Sequence, residues 1–112
     1  MGMVEFFLER ERDTAVLRVR GSLDAYGATD LADWLDRLLG EDASRLVVDL
    51  TSVVFVDTTS AGALTRLPDA VTGDAHVEIV VQSAQVVRML DTLGLTELVP
   101  TTVVVSEESV PA

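Results

Sequence analysis

Cysteine and lysine are both absent from this 112-residue chain, and histidine occurs only once, as His76. Without cysteine the chain can form no disulfide, and it offers neither a thiol nucleophile nor a thiolate zinc ligand. Without lysine it cannot supply the lysine of a phosphate-binding P-loop or of a Schiff-base enzyme. A single histidine also argues against a structural zinc site. We therefore expect no metal and no cofactor.

Basic charge is scarce as well, because 8 arginines face 19 acidic residues and the formal net charge is −11. Such a surface repels nucleic acid and anionic lipid, so we expect protein partners or neutral ligands and no nucleic acid. No apolar run approaches the ~20 residues of a membrane helix, and the charged segment 1–13 is unlike a signal peptide. The sequence therefore predicts a cytoplasmic domain without membrane insertion.

Apolar residues make up 48% of the chain, and their spacing is periodic. The pattern predicts an α/β domain in the order β-β-α-β-α-β-α-β. The first two strands are linked too tightly for a crossover and should form an antiparallel hairpin, whereas the later strand–helix–strand units should give parallel neighbours in a mixed sheet. The predicted strands are 4–10, 14–20, 46–50 with the apolar piece 53–56, 76–82 and 98–105; the predicted helices are 28–39, one beginning near 59 or 60, and 84–93.

Three local features refine this expectation. The nearly continuous apolar run at 46–50 suits a strand that is buried on both faces. Pro68 should end or kink the second helix near Leu67, because proline removes a backbone donor and clashes with the preceding turn. We expect a single domain, 1–112, with a core of about residues 4–105 and a frayed C-terminal tail at 106–112.

The segment FVDTTSAG is unusual because three hydroxyl side chains follow an acid at the end of an apolar strand. After Asp57 come Thr58, Thr59 and Ser60, and then the small residues 61–63. Hydroxyls at a helix start can accept hydrogen bonds from free backbone N–H groups, so the simplest interpretation is a capped helix. An exposed threonine there could also be phosphorylated, and a phosphate adds about −1.5 to −2 charge, which would expel a docked partner. The pattern alone leaves both interpretations open.

The segment DLTSVVFVDTTSAGAL, Asp49 to Leu64, resembles the signature of STAS domains, and in particular that of bacterial anti-sigma factor antagonists. Two further segments resemble the same family: GSLDAYGATDLADWL, Gly21 to Leu35, and SAQVVRMLDTLGLTELV, Ser83 to Val99. The three occur in the order and spacing of the family. The resemblance implies a STAS-like fold, in which a small mixed sheet carries its helices mainly on one face.

The resemblance also implies a function. In antagonists of this family, the second hydroxyl after the motif acid is phosphorylated by an anti-sigma factor serine/threonine kinase, and a separate phosphatase resets it. This implies that the bare domain binds the kinase and that phosphorylation at Thr59, with Ser60 as a reserve acceptor, ends the complex. The partner-binding positions implied in this way are Asp24, Asp57, Thr58, Ser60, Ala61 and Gly62, with Ala63 adding clearance.

Other functions remain to be weighed. A STAS domain could instead be a non-phosphorylated subunit that docks on the ATPase of an ABC transporter of the phospholipid-transport type. A ligand-sensing domain would require a polar-lined apolar pocket. A hydrolase could use Ser60 or Thr59 with His76 and Asp57, but the Gly-x-Ser-x-Gly elbow is absent and His76 is predicted at the opposite end of the sheet from Asp57. We therefore expect a binding protein and not an enzyme.

Overall fold

The structure is a computed structural model that describes residues 3–105. The strands are β1 (Val4–Glu11), β2 (Thr14–Leu23), β3 (Arg45–Val56), β4 (His76–Val81) and β5 (Thr101–Val103), and the α-helices are α1 (Ala28–Leu39), α2 (Thr58–Ala63), α3 (Leu67–Val71), α4 (Ala84–Thr92) and α5 (Leu95–Leu98). Two 3-10 turns, Ala25–Gly27 and Leu64–Arg66, precede α1 and α3. The predicted tail at 106–112 lies outside the described residues.

The five strands form one mixed sheet in the order β1-β2-β3-β4-β5. The β1–β2 hairpin is antiparallel, and β2–β3, β3–β4 and β4–β5 are parallel, as the sequence predicts. The parallel pairs follow from the helical connections, which return the chain to the same edge of the sheet before each new strand. The four carboxyl ends from β2 to β5 therefore point the same way, and the loops that follow them gather at one end of the molecule.

The core lies between one face of the sheet and the helices. Leucines at positions 31, 35 and 38 form the buried stripe of α1 and contribute no exposed surface. Val86 and Leu90 do the same for α4. Trp34 packs at the rim of this core, with its ring stacked on that of Phe6 at 6.0 Å between centroids. Each fully buried leucine stabilises the fold by about 1.5–3 kcal/mol relative to exposure.

Within residues 3–105, no helix covers the second face of the sheet, and this contradicts the expectation that β3 is buried on both faces. Leu46 and Val48 are buried, but the alternating residues Val47 and Asp49 are only half-buried. Because the second face is open, it is occupied by charged side chains: Arg18 of β2 contacts the Asp49 carboxylate at 3.2 Å and that of Glu9 on β1 at 3.3 Å.

A shallow cavity of about 230 Å³ lies on this open face beside the ion pairs. It is lined by the side chains or backbone of Phe7, Glu9, Arg18, Val19, Arg20, Asp49 and Ser52. Four of these residues are charged, and small-molecule pockets are larger and mostly apolar. The cavity therefore does not match the pocket that a ligand-sensing domain would require.

The second helix is interrupted, but at residues 64–66 and so before Pro68, not near Leu67 as predicted. The helix that begins at Thr58 ends at Ala63, passes through the 3-10 turn and resumes as α3, whose first turn holds Pro68. Proline is tolerated in a first turn because its missing N–H would have no partner there in any case. As a result α2 is a separate element of six residues.

The C-terminal part departs from the sequence prediction. Gly94 adopts a left-handed conformation with φ of 74°, and the chain then forms α5, which the periodicity does not indicate. Pro100 follows, and β5 begins only at Thr101, so the last strand is shorter than the predicted 98–105. Proline suits the position just before a strand because it cannot donate to the ladder. Within residues 3–105, no helix is both long and apolar enough to span a membrane.

Candidate functional site

The ends of β2 and β3 bring two loops together at one edge of the sheet. Leu23 and Val56 are paired at the last position of the ladder, and the Asp57 N–H donates to the Leu23 carbonyl at 3.0 Å. The segment at 24–27 therefore lies beside Asp57 and the first turn of α2. Residues that are about 30 positions apart in the sequence share this surface because parallel strands end side by side.

Asp57 is the N-cap of α2. Its backbone is extended, with φ of −92° and ψ of 172°, and its Oδ1 accepts a hydrogen bond from the Ser60 N–H at 2.8 Å. The helix start is therefore capped, as the simplest interpretation of the sequence has it, but the cap is the Asp57 carboxylate and not one of the hydroxyls. Asp24 has a matching role in the neighbouring loop, where its Oδ1 accepts from the Tyr26 N–H at 3.1 Å. Both acids therefore hold the start of a helical turn.

Ser60 is completely buried. Its Oγ donates to the main-chain carbonyl of Asp24 at 2.5 Å, so a buried hydrogen bond joins the first turn of α2 to the segment after β2. This contradicts Ser60 as a reserve phosphoacceptor and as a partner contact, because an attacking or docking group would have to enter the core. Ala61 is buried to the same degree and is likewise not a contact residue.

Thr58, Thr59 and Gly62 form the accessible part of the segment. Both threonine side chains are exposed, and among residues 3–105 neither hydroxyl has a hydrogen-bond partner. A side chain added at Gly62 would meet nothing within 4 Å. Positions three and four apart share a helix face, so these residues make one open strip along α2, which we call the α2 strip. Of the small residues expected to give clearance, Gly62 is the one that lies on this strip, and both docking there and the modification of Thr59 stay predictions.

Comparison with known proteins identifies the family. A family model for the STAS domain matches residues 7–108. The chain belongs to the STAS domain family. Among solved structures, an anti-sigma factor antagonist from Mycobacterium paratuberculosis superimposes on it with a TM-score of 0.81 at 19% identity, covering 89% of this chain and 86% of that one.

Two further structures are those of the anti-sigma factor antagonist SpoIIAA, described in one of them as a Bacillus cell fate determinant. The unphosphorylated form matches with a TM-score of 0.67 at 22% identity, covering 93% of this chain and 90% of that one. The phosphorylated form matches with a TM-score of 0.65 at 19% identity, covering 93% and 94%. At these identities the likeness establishes the shared fold.

One residue of this STAS domain that the sequence does not single out contacts the site from a different helix. Gln85, in the first turn of α4, bonds through its side-chain amide to both the N–H and the carbonyl of Val56, each at 3.0 Å. A glutamine in an amphipathic helix gives no local signal of such a contact, because the partner lies 29 residues away.

The hydrolase constellation is not assembled in this STAS domain. His76 begins β4 and is paired with Arg45, the first residue of β3, whereas Asp57 follows the last residue of that strand. Twelve residues of strand separate the two ends by roughly 35–40 Å at about 3.3 Å per residue. In the described part of the chain, no group of three or more His, Cys, Asp or Glu residues is placed to hold a metal ion.

Proposed function

We propose that this STAS domain is an anti-sigma factor antagonist that binds an anti-sigma factor serine/threonine kinase through the α2 strip and is released when Thr59 is phosphorylated. A phosphatase would then return it to the binding state. The domain acts as a binding protein, and the kinase supplies the chemistry. One observation carries the proposal: of three consecutive hydroxyls, Ser60 is buried and bonded while Thr58 and Thr59 are exposed and unbonded within residues 3–105.

The exposed hydroxyl of Thr59 suits a phosphoacceptor. In the transfer step its Oγ1 attacks the γ-phosphorus of ATP held by the kinase, the bond to the β-phosphate oxygen breaks, ADP leaves and the hydroxyl proton passes to a base of the kinase. No hydrogen bond within the described residues has to be broken to present this oxygen. In the antagonists that this chain resembles, the modified hydroxyl is the second after the motif acid, and this favours Thr59 over Thr58 in the proposal.

Added charge at Thr59 opposes docking for a reason specific to this site. A phosphate brings about −1.5 to −2 charge, and it would stand in the first turn of α2 beside the Asp57 carboxylate. The Ser60 N–H, a donor that could have met the phosphate, is already occupied by Asp57. An interface closed over this strip would have to desolvate the phosphate without that donor, and this costs binding free energy.

The solved relatives support the proposal. SpoIIAA, whose fold this chain shares, is described as an anti-sigma factor antagonist and has structures named for an unphosphorylated and a phosphorylated form. A STAS domain of this architecture can therefore exist in both states.

The acceptor is tested by incubating the purified chain with ATP and a purified anti-sigma factor kinase of its source organism, followed by intact-mass measurement. Wild type and Thr58→Ala should gain one phosphoryl group, and Thr59→Ala should gain none. Equal modification of Thr59→Ala and wild type would exclude Thr59 as the acceptor.

The switch is tested by comparing Thr59→Asp with Thr29→Asp in a binding titration against the same kinase. Thr29 is the second residue of α1 and is exposed, just as Thr59 is the second residue of α2. The two variants therefore add the same charge in the same helical context and differ only in where it lies on the surface. We expect Thr59→Asp to weaken binding at least tenfold and Thr29→Asp to leave it unchanged. Absence of kinase binding by wild type, together with binding to a transporter ATPase that Thr59→Asp does not alter, would favour the transporter subunit instead.

A further inference from the structure

The last part of β3 has a neighbouring strand on one side only. Its pairing with β4 ends at Leu50 and Val81, whereas its pairing with β2 continues to Val56 and Leu23. Beyond Leu50, the edge of β3 that would meet β4 faces no strand within residues 3–105. Unpaired backbone groups at such an edge need another partner, since each unmet buried N–H or carbonyl is costly.

Side chains from the start of α4 take the place of the missing strand. The Gln85 Oε1 accepts from the Val56 N–H at 3.0 Å, and the Gln85 Nε2 donates to the Val56 carbonyl at 3.0 Å. In an extended residue these two groups point to the same side, so one primary amide can satisfy both, as an opposing residue does in an antiparallel pair. Ser83 adds a third contact, from its Oγ to the Val54 carbonyl at 3.3 Å.

These contacts hold the backbone just before the α2 strip. Val56 is fixed by Gln85 on one side, and the next residue, Asp57, is fixed by Leu23 on the other. Asp57 in turn caps α2 through the Ser60 N–H. The direction in which the chain enters α2, and so the placement of Thr59, depends on this pair of opposed anchors.

We infer that Gln85 is a positioning residue, which fixes the end of β3 so that Thr59 is presented in one orientation to the kinase. The inference deepens the proposed function and rests on it for the identity of the partner. The placement of the segment itself depends only on the contacts of the free protein. Gln85 touches neither the phosphoryl group nor the kinase in this scheme and acts through Val56 and Asp57.

The first test uses NMR hydrogen exchange on the free 112-residue chain, comparing Gln85→Met with Gln82→Met. Methionine matches glutamine in length but cannot form the two bonds, and Gln82 is exposed and has no hydrogen bond within residues 3–105. We expect exchange at Val56, and at Ser60 and Ala61, whose N–H groups bond to Asp57, to accelerate about tenfold in Gln85→Met alone, the scale of losing a backbone-type hydrogen bond. Exchange at Ile79, in the buried centre of the sheet, should not change, and this separates local release from global destabilisation.

The second test measures kinase-catalysed phosphorylation. Gln85→Met should raise KM several-fold with little change in kcat, because a misplaced segment docks less well but retains its hydroxyl, and Gln82→Met should behave as wild type. The inference is overturned if Ser60 and Ala61 keep wild-type exchange and residues 58–60 keep wild-type amide shifts in Gln85→Met, or if that variant is phosphorylated with wild-type KM. If wild type is not phosphorylated at all, the proposed function fails, while the exchange experiment still decides whether Gln85 positions the segment.

Discussion

The Ser60 hydroxyl donates to the main-chain carbonyl of Asp24 at 2.5 Å, across 36 residues of sequence. This bond joins the loop after β2 to the loop after β3 from the buried side. Thr59, the residue before Ser60, is exposed. Of these two adjacent hydroxyls, that of Ser60 therefore stabilises the site from the core, and that of Thr59 is accessible on its surface.

Ser60→Ala should lower the free energy of unfolding by about 1–3 kcal/mol, because the Asp24 carbonyl loses a buried donor. Urea denaturation of the two proteins gives this difference directly. Ser52→Ala is the matched control: Ser52 is exposed and its side chain makes no hydrogen bond within residues 3–105, so the effect should stay within about 0.5 kcal/mol. Equal midpoints for wild type and Ser60→Ala would contradict the structural role.

Asp57 should stabilise the fold mainly through the hydrogen bond by which it caps α2, and less through its charge. Asp57→Ala removes the acceptor of the Ser60 N–H and should cost about 0.5–2 kcal/mol, whereas Asp57→Asn keeps an acceptor oxygen and should be nearly neutral. Thermal unfolding of the three proteins under one buffer provides the comparison. Similar losses in the alanine and asparagine variants would mean that the carboxylate charge stabilises the loop.

Gly62→Ala should change stability and binding in opposite directions. Alanine favours a helix interior over glycine by about 0.5–1 kcal/mol, and the added methyl meets no atom within 4 Å in the free protein. On the proposed docking strip the same methyl should obstruct the kinase and weaken binding several-fold. Gly40→Ala, at the end of α1, should leave binding unchanged; equal kinase affinity for Gly62→Ala and wild type would remove Gly62 from the interface.

Much of the architecture follows from local patterns in the sequence. The hairpin at the N-terminus is predicted by two alternating segments with a short link, and α1 by leucines at helical spacing, which form its buried stripe at 31, 35 and 38. Pro68 predicts an interruption of the second helix but not its place, since α2 ends at Ala63 and Pro68 lies in the first turn of α3. These features need no knowledge of distant residues.

The remainder depends on contacts that a local pattern does not contain. Ser60 and Thr59 are adjacent and chemically similar, and which hydroxyl is buried depends on how α2 packs: Ser60 lies on the side of Ala61 and bonds to the Asp24 carbonyl. The same is true of Gln85, whose role requires that β4 end before β3 does. For β3 the apolar run was correctly assigned to a strand, but burial on both faces would have needed a second layer of helices.

The acceptor that Ser60 uses at position 24 belongs to the peptide backbone, not to the side chain. Asn, Ser or Thr, which share the capping ability of Asp, could therefore replace Asp24 while the hydrogen bond from Ser60 to the backbone of position 24 is kept. Such replacements would alter the chemical face shown to a partner and leave the scaffold beneath intact. Partner specificity at this position could in this way change while the hydrogen bond that stabilises the fold is kept.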